Sequence, residues 1–358
     1  MTESRRLDNL RGKLKELLLD GLIVLDIRNV RYLTGFTGST AGLVITKDRQ
    51  VLFVDGRYKT QAEEESSYFE IIHYKFQQVK AIVDFALSLP SCRIGFECDS
   101  TTYRQYLQLK QLRAKGFSLT AVKNIVSELR LVKDSSEIEA IRQAVEIADR
   151  CFAEIIEIIR PGLAEREIAL EIDYRMRKLG ASKNAFETIV ASGPRSALPH
   201  ASPSDRKLQN GDFVIMDFGA VYADYSSDIT RTVHIGKADE KAKEIYNLVL
   251  EAQKRALNAV RPGVSGKYVD SAARDCIVEA GYGEKFGHGT GHSLGLDVHD
   301  GAAFSQQSEI ILKPGIVATV EPGIYIERYG GVRIEDDIVV NETGCEILTK
   351  SSKQLVEI

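Results

Sequence analysis

Phe213-Val-Ile-Met-Asp217-Phe-Gly219 sets an acid inside an apolar run, and eleven residues after Asp217 the chain reads Asp228-Ile-Thr-Arg-Thr-Val233. An ionised carboxylate in a buried strand costs several kcal/mol unless a cation or a hydrogen-bond donor compensates it. Asp217 therefore needs a partner. Alternation along the second run puts Asp228, Thr230 and Thr232 on one face and Ile229 on the other, so a hairpin joining the two runs brings the aspartates together. Either aspartate alone reads better as a loop cap or a strand-end charge; the pair together reads better as a site.

Two later runs repeat the pattern. Ile316-Val-Ala-Thr-Val-Glu321 ends an apolar strand in a glutamate, and Val332-Arg-Ile-Glu335-Asp-Asp-Ile-Val-Val340 embeds another. Four candidate acids thus lie on four β-segments. Of the six histidines, His200, His288, His292 and His299 fall close to these runs, while His73 and His234 lie in ordinary strand-like stretches and read as satisfied or partly exposed. Glycines at 287, 289, 291 and 295 surround His288 and His292, which disfavours a helix and allows close backbone approach. The loop lacks the lysine of a phosphate-binding loop and the strand-helix flanks of a dinucleotide fingerprint. Carboxylates with imidazole suit divalent manganese, cobalt, iron or zinc. Four carboxylates and a neutral imidazole balance two divalent ions, whereas one ion leaves a buried excess of negative charge. Two such ions can acidify a water and polarise a carbonyl, which is hydrolytic chemistry.

Further out, the pattern predicts two domains, 1–125 and 126–358. The first alternates helices (7–20, with Leu7, Leu10, Leu14, Leu17 and Leu18 as its buried stripe; 59–65; 79–89; 102–115) with strands (21–25, 42–46, 51–54, 93–96), an α/β pattern. The second opens with Ser135 or Ser136 capping a long helix that carries Ile138, Ile141, Val145 and Ala148 on one face. Its remaining helices and strands follow no βαβ repeat, which predicts an α+β domain with an antiparallel-rich sheet and helices packed on it. No short sequence repeat is visible; a structural duplication with little identity would escape such a reading.

Composition sets the outer limits. The chain has 358 residues, 44% hydrophobic and 27% charged, which excludes wholesale disorder. Forty-seven basic against 51 acidic residues leave a net charge of −4, so no global cationic field exists for nucleic acid or an anionic membrane. Cys92, Cys98, Cys151, Cys276 and Cys345 form no C-x-x-C pair and read as reduced and structural. Met1–Asp20 lacks the apolar core of a secretory signal, and no run approaches membrane-span length; the expectation is a cytoplasmic, soluble protein.

The residues quoted above, in their order, resemble the pita-bread metallopeptidases, and most closely the proline-specific branch of aminopeptidase P and prolidase. The motifs are Leu198-Pro-His200, Met216-Asp217-Phe-Gly219, Ser227-Asp228-Ile-Thr-Arg-Thr232, Gly287-His-Gly-Thr-Gly-His292-Ser-Leu-Gly295, Val298-His299-Asp, Val320-Glu-Pro-Gly-Ile-Tyr325 and Val332-Arg-Ile-Glu335-Asp. Arg31-Tyr-Leu-Thr-Gly-Phe-Thr-Gly-Ser39 and Val54-Asp-Gly-Arg-Tyr58 extend the likeness to the first domain. The resemblance implies a curved pita-bread catalytic domain holding two divalent metal ions, manganese first, cobalt or zinc as alternatives. Their ligands would be Asp217, Asp228, His292, Glu321 and Glu335, with Asp228 and Glu335 bridging. It implies His200 and His299 beside the scissile carbonyl, Glu321 as proton shuttle, and His288 lining the substrate site. Tyr325 would sit near the proline ring or in the core.

A dipeptidase must also hold a free carboxylate after proline, for which arginine is the natural partner. The stretch Val298-His-Asp-Gly-Ala-Ala-Phe-Ser305 has none, so Arg333, Arg195 or a first-domain residue would have to serve. This departure favours an Xaa-Pro aminopeptidase, with the Xaa-Pro dipeptidase as alternative and a non-catalytic peptide-binding member as a third reading. Partners implied are a proline-containing peptide and a second copy of the chain. Phe36, Asp55, Arg57 and Tyr58 are candidate first-domain contributors, although a turn with a strand-end aspartate explains Asp55–Tyr58 almost as well.

Overall fold

Residues 3–90, 93–301 and 303–358 are described by the computed structural model, and the chain divides into units Met1–Arg130 and Leu131–Ile358. In the first unit, β1 (Gly21–Val24), β2 (Gly42–Thr46), β3 (Gln50–Asp55), β4 (Glu70–Tyr74), β5 (Arg93–Glu97) and β6 (Ser118–Val122) form one sheet in the order β4-β3-β2-β1-β5-β6. Strands β1, β2 and β3 pair antiparallel; the outer pairings are parallel. Helices α1 (Glu3–Glu16), α2 (Ile27–Thr34), α3 (Lys59–Glu65), α4 (Gln78–Ala86), α5 (Tyr103–Leu109) and α6 (Ser127–Leu131) complete it. Ile23, Val44, Phe53, Ile82, Phe96 and Leu119 share one apolar core.

The expected helix over 7–20 stops sooner. Leu7, Leu10 and Leu14 are buried, but Leu17 and Leu18 are 46% and 70% exposed. Leu18 takes a left-handed backbone, φ 55°, that turns the chain into β1 and carries both side chains off the stripe. Strands β4 and β6 lacked a strong apolar signal because their residues are half exposed at the two sheet edges. Asp55 accepts from the Arg57 amide and pairs with its guanidinium at 2.8 Å, so a local turn accounts for this motif. Phe36 is fully buried, edge-on to Tyr58. Cys98, Cys151, Cys276 and Cys345 are free thiols; Cys92 lies outside the described residues.

The second unit opens with α7 (Ser135–Ile156). Its cap is Asp134, one residue before the expected serines: Asp134 accepts from the amides of Ser136 and Glu137, while Glu137 accepts from the Asp134 amide. After α8 (Glu165–Lys178) come β7 (Lys183–Asn184), β8 (Ile189–Ser192), β9 (Phe213–Phe218), β10 (Ala220–Tyr222), β11 (Tyr225–Ser226) and β12 (Ile229–His234). Then α9 (Glu240–Ala259) and α10 (Gly266–Glu279) precede β13 (Gly291–His292), β14 (Ala303–Phe304), β15 (Val317–Val320), β16 (Gly323–Ile326), β17 (Gly330–Arg333), β18 (Asp336–Val340), β19 (Cys345–Ile347) and β20 (Val356–Glu357). The main ladders run β20-β12-β9-β8 and β15-β18-β19, with β16-β17 as a separate hairpin.

Period-two alternation decides which side chains meet the helices. Val214, Met216, Ile229 and Val233 pack with residues of α7 and α8, such as Ile155, Ile172 and Met176. Ala318, Val320, Ile338 and Val340 pack with Val249, Ala256, Val269 and Ile277 of α9 and α10. The intervening positions, which include Asp217, Thr230 and Thr319, point away from these cores. A structural repeat links the two helix pairs: Arg160-Pro-Gly-Leu163 leads into α8 and Arg261-Pro-Gly-Val264 into α10. Gly162 donates to the Leu208 carbonyl at 2.9 Å and Gly263 to the Leu312 carbonyl at 3.0 Å. Bridges Ala164 with Lys207 and Ser265 with Ile311 follow in both. Only the Arg-Pro-Gly triplets betray this duplication in the sequence.

Candidate metal centre

Asp217 on β9 lies opposite Thr230 on β12, and Asp228, two residues earlier, shares the Thr230 face. The two aspartates therefore meet on the side of the ladder away from α7 and α8. Gly219 follows β9 at the break between the β9–β12 and β10–β11 pairings; a Cβ there would fall 1.9 Å from the Ser227 carbonyl oxygen. The run Val332–Val340 is not one strand. It breaks between β17 and β18 at Ile334 and Glu335, and the freed Glu335 amide donates to the Thr230 carbonyl at 3.1 Å, which docks the glutamate against β12. Glu335 Oε2 then accepts from Thr230 Oγ1 at 2.6 Å.

His292 enters from the glycine-rich loop. A Cβ on Gly291 would lie 2.0 Å from the Thr319 carbonyl oxygen, so glycine is what lets the loop press onto β15. Thr319 Oγ1 accepts the His292 amide at 3.0 Å and donates to Glu321 Oε1 at 3.3 Å. One threonine thus sets two candidate ligands. Burial holds the His292 imidazole below its usual pKa, hence neutral. Its Nδ1 faces the Ser293 carbonyl at 3.3 Å, an oxygen that can only accept, so the proton sits on Nδ1 and the Nε2 lone pair points inward.

That lone pair faces oxygens. Nε2 is 3.6 Å from Asp228 Oδ2 and 3.5 Å from Glu321 Oε1, and Asp228, His292 and Glu335 present ligand atoms all within 4.8 Å of one another. The spacing is too long for hydrogen bonds, but it matches the edge, about 3.3–3.6 Å, of a tetrahedral shell with bonds of about 2.0–2.2 Å. Asp217 Oδ1 and Asp228 Oδ1 are buried with no hydrogen-bond partner. Burial, reinforced by mutual repulsion among the acids, pushes the carboxyls of Asp228, Glu321 and Glu335 up. Orphaned oxygens and an inward imidazole lone pair fit a cation, and the hard oxygen and borderline nitrogen donors fit a first-row divalent metal.

One protein cation does lie here. Arg333, 2% exposed, donates from Nη2 to Asp217 Oδ2 at 2.6 Å, from Nε to Thr230 Oγ1 at 3.0 Å, and from Nη1 to the Tyr325 hydroxyl at 2.8 Å and the Pro199 carbonyl at 3.3 Å. Burial alone would lower its pKa; Tyr325 and the acids Asp217, Glu321 and Glu335 outweigh it and raise the pKa further. With Arg333 the four acids leave a net −3, so two divalent ions give +1 and leave place for one anionic reactant. Tyr325 OH continues to His288 Nε2 at 2.8 Å, and His288 Nδ1 to the Gly289 carbonyl at 2.8 Å. The carbonyl fixes the proton on Nδ1, so the tyrosine donates to Nε2 while accepting from Arg333. Burial lowers the His288 pKa and raises that of Tyr325 to about 12, which keeps both neutral.

These residues open onto a cleft of about 380 Å³ whose walls include His200, His288 and His299. His200 is exposed; the His299 ring lies 4.2 Å from that of His292, its pKa lowered by burial and then by His292 and His200. Arg333 lines the cleft with its donors committed, and Tyr325 sits behind His288, 8% exposed. Arg195 pairs with Glu165 at 3.0 Å and donates to the Ser202 carbonyl. His73 and His234 stand apart: His234 bonds the Gly236 carbonyl at 2.9 Å at the end of β12, and His73 lies 3.7 Å from Glu63. Sequence reading passed over Thr319 and Asp337. Thr319 shares the strand face of Glu321, a signal that was available; Asp337, whose Oδ2 accepts the Asp228 amide at 2.9 Å, looked like one acid in a charged run.

The comparisons with known proteins agree with this geometry. Residues 6–132 match the creatinase/prolidase N-terminal domain. An Xaa-Pro dipeptidase of Pyrococcus horikoshii is 41% identical over 340 residues, 94% of this chain and 95% of that one. Among solved structures, an Xaa-Pro dipeptidase from Bacillus anthracis superposes with TM-score 0.95 at 41% identity, covering both chains fully. An X-Pro aminopeptidase from Thermotoga maritima MSB8 superposes with TM-score 0.87 at 40% identity over 97% of this chain and 100% of that one. No helix among the described residues is long and apolar enough to cross a membrane. Residues 139–342 match metallopeptidase family M24, and with the buried acids and His292 on one wall of a cleft, the chain belongs to that family.

Proposed function

We propose that the chain is an Xaa-Pro dipeptidase, hydrolysing the bond before proline in a dipeptide. The observation that carries the hydrolytic part is the cluster of Asp228, His292 and Glu335, with ligand atoms within 4.8 Å, at a cleft walled by three further histidines. Full-length likeness to chains named Xaa-Pro dipeptidase supports the proline preference. Two divalent cations, manganese first and cobalt or zinc as alternatives, held by Asp217, Asp228, His292, Glu321 and Glu335, would supply Lewis acidity for the scissile carbonyl and lower the pKa of the attacking water.

The chain's own groups supply the rest. Glu321, at the cleft and turned by Thr319, takes the proton from the attacking water and passes it to the proline nitrogen, which carries no hydrogen in an Xaa-Pro amide. His200 and His299 line the cleft where the carbonyl oxygen gains charge and can donate to it. His288, its Nε2 engaged by Tyr325, presents its ring edge to the substrate. Arg333 holds Asp217 to one orientation, so that only Oδ1 remains for a cation. The same reading places the protein in the cytoplasm as a homodimer, in keeping with its free thiols.

One observation favours an Xaa-Pro aminopeptidase instead. Among the described residues lining the cleft, Arg333 is the only arginine or lysine, and its bonds to Asp217, Thr230, Tyr325 and Pro199 leave it poorly placed for a substrate carboxylate. Comparing hydrolysis of an Xaa-Pro dipeptide with an Xaa-Pro-Xaa tripeptide, each with manganese, cobalt or zinc, decides between them. Faster turnover of the dipeptide is the expected result. Cleavage of the tripeptide alone would establish the aminopeptidase, and cleavage of neither would sink both.

A further inference from the structure

The glycine-rich segment that carries His288 is not held by its own sequence. Gly287 and Gly289 flank the histidine, and a Cβ on Gly287 would meet open space. Two elements hold it: β14, whose Phe304 carbonyl accepts the Thr290 amide at 2.7 Å, and α10. Asp270, fully buried, accepts from the Thr290 amide at 3.0 Å and the Thr290 hydroxyl at 2.9 Å, and takes the Arg274 guanidinium through both carboxylate oxygens at 2.8 and 3.0 Å. Arg274 then forks outward: Nη1 donates to the Phe286 carbonyl at 3.0 Å and Nη2 to the His288 carbonyl at 2.7 Å. Its guanidinium lies 4.2 Å over the Phe286 ring, which stands perpendicular to the His288 ring at 5.1 Å between centroids.

We propose that Asp270 and Arg274 are positioning residues that clamp the segment 286–290 and so set the His288 ring in the cleft. The inference rests on the reading of His288 as a substrate-side residue. One ion pair takes the carbonyls of Phe286 and His288 on either side of Gly287, where the backbone has open space around it, and shares the Thr290 amide with the Phe304 carbonyl. The same clamp reaches the acid: the Thr290 carbonyl accepts the Glu321 amide at 2.7 Å. An i,i+4 pair on an exposed helix is worth little, but this pair is buried on its acidic side and directed at carbonyls, where a planar fork does what a lysine ammonium cannot.

Arg274→Lys keeps a cation beside Asp270, and so the fold, while removing the fork. The test measures kcat and KM on an Xaa-Pro dipeptide for the wild type, R274K, H288A and the double variant, together with the NMR resonances of the His288 ring and metal content. R274K is expected to lower kcat/KM about tenfold or more with metal content unchanged, and the loss should largely vanish in the H288A background, because neighbours acting as a unit are non-additive. Displaced His288 ring resonances should accompany it, because the His288 carbonyl loses its guanidinium donor. Thr290→Val, which removes only the hydroxyl bond to Asp270, should show a smaller effect of the same kind. Additive losses, or unmoved His288 ring resonances in R274K, would overturn the clamp. A wild type inactive on every Xaa-Pro peptide would sink the functional reading, and the His288 ring resonances of R274K would still decide the clamp.

Discussion

Thr230→Val removes one hydroxyl and almost no volume, and that hydroxyl joins the two halves of the centre. Thr230 Oγ1 donates to Glu335 Oε2 at 2.6 Å and accepts from Arg333 Nε at 3.0 Å, and the residue is fully buried. Valine fills the space, so no cavity forms; the cost is two unmet charged groups. Leaving a buried partner unsatisfied costs about 1–3 kcal/mol, and with relaxation we expect about 2–4 kcal/mol for the pair. In a domain of this size each kcal/mol moves Tm by about 2–4 °C. Glu335 also loses the donor that aims it, and partners of this kind are worth about 10–100-fold in metal affinity. Differential scanning fluorimetry and manganese titration calorimetry read the two effects. Thr230→Ser, which keeps both bonds, should match the wild type in affinity. A valine variant equal to the wild type in both Tm and manganese affinity would refute the role given to Thr230.

Three further outcomes are expected. In the metal-free protein, burial and mutual repulsion raise the pKa values of Asp228, Glu321 and Glu335; a raised folded-state pKa contributes stability below the ordinary carboxylate range that is lost as pH climbs. Its Tm should thus fall as pH climbs above about 7, where the lowered pKa values of His288, His292 and His299 leave those rings already neutral, and added manganese should raise it most at the upper end; a metal-free Tm that rises with pH in that range contradicts this. In the first unit, burial raises Glu97 to about 7, so its stabilising contribution disappears as pH passes that value, a loss of about 3 kcal/mol by linkage; Glu97→Gln, which keeps the acceptor for Asn29, should flatten the pH dependence of denaturant unfolding, and an unchanged slope argues against it. Tyr325→Phe cuts the link between Arg333 and His288 and should reduce kcat/KM about tenfold, the worth of about one hydrogen bond, at unchanged metal content; a variant with wild-type kinetics would deny the link a role.

Much of the centre was legible because strand alternation is a strict rule. An acid at an interior strand position either faces a core it cannot enter or faces a site, and Asp217, Asp228 and Glu321 were identifiable on that ground. Glu335 was legible as an acid but not as a hinge: the run Val332–Val340 reads as one strand, and only the tertiary bond from its amide to the Thr230 carbonyl shows why it breaks. Cooperative polar networks are harder to read. Arg333 looked available for a substrate carboxylate because sequence cannot show that Asp217, Thr230, Tyr325 and Pro199 already occupy its donors. The pair Asp270 and Arg274 had the spacing of an ordinary surface helix pair, and what separates it from one is burial, a property of the packed unit. At the other extreme, Leu18 obeyed the helical stripe yet left it, because a turn into β1 outweighed one more apolar contact.

Where cations bind is the most direct test of the metal centre. Diffraction from manganese-soaked crystals at the manganese absorption edge should show two anomalous peaks per chain, enclosed by Asp217, Asp228, His292, Glu321 and Glu335, and both should vanish with activity after chelation. Peaks elsewhere in the chain, or full hydrolysis by crystals without them, would contradict it.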